Sequence, residues 1–599
     1  MMRTFSPFVA SGRRPAAALL LLVTVAASAA LAQPTAPAER LRALMAAEWE
    51  FELREDPLMA TSVGDRRYDD RLPHIAPADQ ARRRDSLQSY LRRLGQIDRT
   101  TLDAQDRVSA AMLEERLRIA LGEIDGGEER IPILADAGFH TGLALLPARQ
   151  PRQTVPEVER YVARLHQVPR YFREHIANMR RGMRDGFTMP RIVLDGYEGT
   201  IAAHLVEQVD SSVFFTPLTR LPDNFPAAER ERLRAAARRV IRDSVIPAYR
   251  EFLTFMTRDY IPAARTTTAA YDLPGGREHY EMQIRKYTTL PLTADSIHRI
   301  GIAEVARIER EMAEVMRRVG HTGTLEEFIA KLRSDPQFYP QTPDELLQRA
   351  AWIAKRMDGQ LPSLFRTLPR QPYGVEAVPA HIAPKYTAGR YVEAPPGSTE
   401  SGKYWVNTYD LPSRTLYTLE ALTLHEAVPG HHLQIALSRE LTGLPEFRRN
   451  TYISAFGEGW GLYAERLGME AGFYTDPYSD FGRLTYEMWR ACRLVIDTGL
   501  HTKGWTRQQA MDYLAARTAL SLHEIRTETD RYISWPGQAL AYKLGELTIR
   551  RLRAEAEDAL GSRFDIREFH DIVLRNGSVP LPVLETEVRA WIGEARART

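Results

Sequence analysis

Residues 425–432 read His425-Glu426-Ala427-Val428-Pro429-Gly430-His431-His432. A His-Glu-x-x-His run on one helix sets two imidazoles on one face to hold zinc, with a glutamate between them that takes a proton from water. Here the second histidine comes late. On an undistorted helix His425 and His431 lie about 240° apart, and His425 and His432 share a face but stand about 10 Å apart along the axis. Neither pair reaches one zinc ion at about 2.0–2.1 Å per nitrogen. Pro429 lacks an N–H, and its ring collides with the carbonyl four residues back, that of His425. Gly430 accepts backbone conformations that other residues resist. The expectation is a helix kinked or bulged at its first histidine, with a two-residue bulge returning His431 to the second ligand position and a new helical run from His431 to Glu440. The competing reading is a structural His-Glu pair beside a helix-ending Pro-Gly; His523-Glu524 shows that such pairs occur without a histidine four residues on.

A third ligand is expected at Glu458, in Ala455-Phe456-Gly457-Glu458-Gly459-Trp460-Gly461-Leu462-Tyr463-Ala464-Glu465. Ile453, Phe456, Trp460, Tyr463 and Leu467 form an apolar stripe on that helix. Glu458 and Glu465 lie seven apart on the other face, Glu465 placed to support a ligand. Gly457, Gly459 and Gly461 each cost a helix roughly 1 kcal/mol relative to alanine. They make sense if another backbone, such as a metal-bearing helix, packs very closely there; otherwise this face is solvated.

The elements that must position these residues read mostly as helix, with apolar residues three and four apart over Ala38–Phe51, Ala78–Leu94, Asp106–Leu121, Pro156–Arg184, Ala227–Met256 and Ile297–Val319. The motif helix is expected to start at Ser413 as N-cap and to carry Leu416, Leu419 and Leu422 inward. From Leu368 to Pro412 prolines and glycines replace the helical pattern, and Tyr373–Val378 and 402–408 read as short strands. A strand edge there could pair with an extended substrate, or the pair could be a packing hairpin.

The first 32 of the 599 residues look like a secretory signal: Arg3, Arg13 and Arg14, an apolar run from Ala16 to Ala29, then Ala30-Leu31-Ala32. The run is shorter than the ~20 residues a spanning helix needs. Removing three arginines and no acid takes the net charge from +2 to −1. A near-neutral mature chain gives no electrostatic case for nucleic acid or an anionic membrane as partner. Cys492 is the only cysteine; with none at the cleavage site, no lipid anchor is expected. Arg490 and Arg493 beside it could activate a thiolate, but a half-buried helix residue is the simpler reading.

The chain resembles the bacterial family called domain of unknown function 885, whose hallmark is His-Glu-Ala-x-Pro-Gly-His-His. The similarity continues through Glu458-Gly459-Trp460, Tyr463-Ala464-Glu465, Asp497-x-Gly499-x-His501, Arg531-Tyr532, Pro536-Gly537-Gln538-Ala539 and Tyr542. Upstream, Gly301 and Tyr404–Asn407 also fit. That family is in turn similar to helical zinc peptidases such as thimet oligopeptidase, angiotensin-converting enzyme and carboxypeptidase Taq. The resemblance aligns Gly430-His431 with the Gly-His that closes their metal motif, which favours His431 over His432 as the ligand, and implies Tyr542 as a phenol over the scissile carbonyl. His501, Arg531 and Lys543 are the candidates for binding a substrate carboxylate, although structural ion pairs explain Arg531 and Lys543 equally well.

The expectation is therefore a mainly α chain: after the signal, one large helical metallopeptidase-like unit over 33–599 with a deep groove, a small β element at about 368–412, and a metal and catalytic segment at about 413–550. Its expected cofactor is Zn2+, held by His425, His431 and Glu458. Glu426 and Tyr542 are the catalytic candidates, and the expected reaction is hydrolysis of short peptides in the periplasm, in carboxypeptidase or dipeptidyl carboxypeptidase fashion. A zinc hydrolase of non-peptide esters or amides, and a catalytically silent peptide-binding protein, are the alternatives.

Overall fold

The structure, a computed structural model, describes residues 36–380, 382–394 and 399–598; the signal-like segment lies outside them. The chain is mainly helical, 69% helix against 3% strand, so side chains on helices build nearly every surface. The main apolar core runs from Leu41 to Ile592 and so draws on both ends of the described chain. Among the described residues no helix is long and apolar enough to cross a membrane.

The helical periodicity translates directly at Pro37–Glu55, Pro77–Gly95 and Ala104–Gly126. Residues 156–184 form two helices, Val155–Leu165 and Val168–Asp185, while residues 227–256 keep one helical run, Ala227–Val240 passing through a π turn at Ile241–Val245 into Ile246–Phe255. A proline stands at the start of each second piece, where the missing N–H costs nothing.

Helix α1 (Ala294–Arg318) packs along the longest helix of the second half, Pro477–Thr502. Gly301 permits the close crossing, since a Cβ there would lie 2.7 Å from Leu494 Cβ. Three strands follow: β1 (Tyr373–Ala377), β2 (Gly389–Val392) and β3 (Gly402–Val406). The sheet order is β1-β3-β2, with β1 parallel and β2 antiparallel to β3. The sequence pattern indicates β1 and β3 but not β2, a four-residue strand among prolines and glycines.

The motif helix does not start at Ser413. Leu411–Ser413 and Leu416–Thr418 are single 3-10 turns, and α2 begins only at Leu419, with Thr418 before it, and ends at Glu426. After residues 427–430, α3 (His431–Glu440) begins; α4 (Ser454–Leu467), α5 (Pro477–Thr502), α6 (Leu522–Ser534) and α7 (Ala541–Leu560) complete the site region. Asp476 and Ser521 cap α5 and α6 by accepting from Tyr478 N–H and Glu524 N–H, as N-cap side chains do. α4 lies between α2 and α7, in contact with both.

Candidate metal centre

The Pro-Gly interruption separates two helices, and the second runs over His431–Glu440 as the sequence pattern indicates. Ala427 (φ −90°, ψ −110°) and Gly430 (φ −77°, ψ −128°) leave the helical region, and α3 restarts at His431. Glycine is required at 430 for a reason other than left-handed backbone, because its φ is negative. A Cβ there would stand 1.9 Å from the carbonyl oxygen of His425. Trp460 on α4 fixes the linker by donating its indole N–H to the Pro429 carbonyl at 2.8 Å.

This break brings His425, His431 and Glu458 together, one ligand atom from each lying within 4.8 Å of the others. Glu458 Oε2 is 3.6 Å from His425 Nε2 and 3.4 Å from His431 Nε2. Ligands at about 2.0–2.2 Å from a tetrahedral zinc are about 3.3 Å apart, so the three donors fit that ion with little movement and leave a fourth position open. His432 points elsewhere: its Nδ1 lies 3.1 Å from the Tyr391 hydroxyl and its ring packs against Tyr373. Burial pushes its pKa down to about 4.

Support for the triad comes from α4 and α5. His425 Nδ1 lies 2.7 Å from Glu465 Oε1, the carboxylate seven residues beyond Glu458, and Arg490 Nη2 is 3.3 Å from the same oxygen. That bond fixes the ring so that Nε2 faces Glu458. Burial lowers the pKa of His425, but the bonds to Glu458 and Glu465 outweigh it and push it up to about 10. Glu458 goes the other way: burial opposes its charge, yet the two imidazoles hold it well below the usual carboxylate range.

The α4 glycines meet three different neighbours, not one helix. A Cβ at Gly461 would lie 2.6–3.0 Å from the His425 ring, one at Gly459 would lie 2.5 Å from the Cα of Gly545 on α7, and one at Gly457 would lie 2.4 Å from the Tyr452 ring.

Glu426 is buried beside the triad, and its Oε2 accepts the Tyr391 N–H of β2 at 2.8 Å. The Asn407 N–H to Ala388 carbonyl bond faces residue 388 toward β3, so backbone groups of Gly389 and Tyr391 face outward. Tyr542 sits on the first turn of α7. Arg531 Nη2 donates to its hydroxyl at 3.3 Å and to Gln538 Oε1 at 2.8 Å, while the Arg493 guanidinium stands 4.2 Å from its ring centroid.

The family model described as a bacterial protein of unknown function (DUF885) matches residues 57–588. The chain belongs to this family. It is similar to two solved structures. "The putative lipoprotein from Colwellia psychrerythraea" is 28% identical with a TM-score of 0.88, covering 93% of this chain and 100% of that one. "A putative lipoprotein of unknown function from Shewanella oneidensis" is 18% identical with a TM-score of 0.69, covering 92% and 99%, a likeness of fold. No curated protein matches the chain.

Two of the three residues expected to bind substrate are placed elsewhere. His501 is fully buried; its Nδ1 accepts the Ala270 N–H at 3.1 Å and its Nε2 donates to the Tyr532 carbonyl at 3.0 Å. Asp497 accepts from the Tyr280 hydroxyl and from the N–H of Gly537, whose φ of +81° only glycine adopts easily. Together they hold the turn that starts α7. Lys543 has 0% exposure and pairs with Glu487 at 2.8 Å and with Glu304 and Glu546 at 3.0 Å. Both residues are structural, because their polar atoms are already taken inside the core. Arg531 alone of the three stays beside Tyr542. Cys492 is buried, and burial raises its pKa well above the usual thiol range, which argues against a nucleophile.

Two residues near the triad carry no motif. Tyr452 keeps 46% of its surface open, while its hydroxyl lies against Gly457. Loss of water around it, then the charges of Glu458 and its other neighbours, hold the phenol well above the usual tyrosine range. Arg390, on β2, loses water around its guanidinium, and the nearby carboxylates Glu426 and Glu458 more than offset that and raise its pKa. Only the position of Tyr452 shortly before a Gly-rich helix, and that of Arg390 in the Pro/Gly region, hinted at them.

Proposed function

We propose that this protein is an extracytoplasmic zinc-dependent hydrolase of short peptides. The observation that carries the reading is the spacing of the three donors, 3.4 and 3.6 Å from Glu458 to the two histidines, with a carboxylate on the far nitrogen of His425 and a further glutamate, Glu426, alongside. Zinc bound there would polarise a carbonyl and make water more acidic. Glu426, held by the β2 backbone, takes the water's proton and returns it to the leaving amine. Because Tyr542 accepts from Arg531, its own hydroxyl proton is free to meet the developing oxyanion. The outward backbone of Gly389 and the Tyr391 carbonyl offer an extended peptide an edge beside Glu426. The signal-like N-terminus and two similar structures described as lipoproteins support a place outside the cytoplasm.

The test is metal analysis of the purified protein together with a mass-spectrometric digest of a mixed peptide library. One zinc per chain and cutting that Glu426→Gln abolishes are expected. A metal-free protein, or unchanged cutting by Glu426→Gln, refutes the reading. Ester turnover without peptide turnover would move the substrate class to non-peptide esters.

A further inference from the structure

At the end of β3 a partly enclosed cavity is lined by Val406, by Ala388 just before β2, and by Leu419 and Leu422 of α2. Arg414 and Glu524 bring charge into it. Glu524 is on the first turn of α6, where a capping-box glutamate would turn back onto the Ser521 N–H. It does not: among the described residues its carboxyl has neither a hydrogen bond nor an ion pair. Arg414 spends its Nε on the Tyr409 carbonyl at 3.1 Å, and its two terminal nitrogens have no partner among the described residues. The other charged groups around Glu524 are engaged elsewhere, Glu528 by Arg493 at 2.7 Å and Arg531 at 3.4 Å, and Arg490 by Glu465 at 3.3 Å. Loss of water and then the charge of Glu528 push the Glu524 pKa up to about 7, against the pull of Arg414, Arg490 and Arg493. A carboxyl and a guanidinium thus line one cavity, feel each other's charge and form no ion pair with each other.

The cavity adjoins the candidate site. Leu422 stands one turn before Glu426 on the same face of α2. Strand β2 runs beside this face: a Cβ at Gly389 would lie 3.2 Å from Leu422 Cδ2, and two residues on the Tyr391 N–H meets Glu426. Four helix residues rise about 6 Å and two strand residues about 6.6 Å, so the cavity lies about two extended residues along the β2 edge from Glu426. We propose that this cavity is a subsite for a substrate side chain ending in a carboxamide, about two residues from the bond that is cut. A carboxamide donates its N–H to Glu524 and accepts from Arg414, whereas an acidic or basic side chain would face a like charge on one of them. A volume of about 30 Å³ holds about two water-sized groups, which matches the oxygen and nitrogen of one amide. The register of the subsite rests on the hydrolase reading; binding of the side chain does not.

The test uses N-acetylated hexa-alanine amides in which one alanine, at each position in turn, becomes glutamine, methionine, glutamate or lysine. Methionine matches glutamine in length without its polar end. Cleavage is read by mass spectrometry with the zinc-loaded protein, and binding by calorimetry on Glu426→Gln protein. Glutamine at one fixed position from the cut should raise kcat/KM about tenfold to a hundredfold over methionine. Glu524→Leu should remove that difference, while Glu524→Gln, which keeps an acceptor, retains it; thermal unfolding checks the fold of both. The peptide series on the wild-type protein decides the matter even where Glu524→Leu does not fold. Glutamine and methionine treated alike, a preference for glutamate or lysine at that position, or an unchanged preference in folded Glu524→Leu overturns the subsite while the hydrolase reading stands. Glutamine-selective binding that depends on Glu524, with no cleavage, keeps the subsite and removes the hydrolase. No cleavage and no difference in binding removes both.

Discussion

If the proposed site holds zinc, replacing Gly461 by alanine should abolish that binding and leave the fold. A Cβ at 461 would lie 2.6 Å from Cε1 and 2.8 Å from Nε2 of His425. Carbon atoms pack at about 3.5–4.0 Å, so the ring must retreat by about 1 Å. Metal–ligand distances hold to within about 0.2 Å, and the displacement is several times that tolerance. His425 cannot follow the ion by rotating, because the 2.7 Å contact of its Nδ1 with Glu465 fixes the ring. Loss of that support alone is of the order of 10–100-fold in metal affinity, and loss of one ligand should be at least as large. The apo-protein gains about 1 kcal/mol of helix propensity at the same position, which offsets the crowding. The assay is zinc titration against a competing chelator, paired with thermal unfolding of the metal-free protein. A Gly461→Ala protein that binds zinc within twofold of wild type would refute the argument. So would one whose apo form unfolds 10 °C or more lower, since the collision would then lie in the core and not at the ligand.

Glu465→Gln should lower zinc affinity about 10–100-fold while Glu458→Ala abolishes stoichiometric binding, both read by the same titration. Lys543→Met should destabilise the apo-protein by about 3–5 kcal/mol, because Glu304, Glu487 and Glu546 lose their shared cation, and KM of the folded fraction should stay unchanged; a KM effect without a stability effect would return Lys543 to the substrate site. His175 stacks on Phe139 at 3.8 Å with neither nitrogen partnered, and burial holds its pKa well below the usual histidine range. The unfolded chain therefore binds a proton near pH 6.5 that the folded chain refuses, and the stability from this group is present above that pH and lost below it. His175→Phe should remove the loss, so its advantage in denaturant unfolding grows by about 1.4 kcal/mol per unit as the pH falls below about 6.5; a constant difference from pH 7 to pH 5 would contradict this.

The candidate metal centre was largely legible in the sequence because holding a metal demands particular side chains at particular spacings. Pro429 marks the break, and the seven-residue interval from Glu458 to Glu465 puts both carboxylates on one helix face. The structure brings both to His425. Burial was not legible. His501 and Lys543 look like substrate groups only until their neighbours are known, since the Ala270 N–H and the acids Glu304 and Glu487 come from distant segments. Strand β2 escaped because four residues cannot display a period. With it went Arg390 and the backbone N–H that holds Glu426. The glycines of α4 signalled close approach correctly but could not say that one meets a ring, one a phenol and one a backbone.

That last contact joins two parts of the site mechanically. At Gly459 and Gly545 helices α4 and α7 meet main chain to main chain, a Cβ at 545 falling 1.9 Å from the Ala455 carbonyl. Glu458 precedes one of these glycines and Tyr542 lies three residues before the other, so both are mounted on a single strut with no side chain to act as a cushion. The interval between carboxylate and phenol is thus set by the thickness of two backbones. It would survive transfer of the helix pair to another scaffold, and substitutions in the surrounding shell should shift both groups together and leave their separation unchanged.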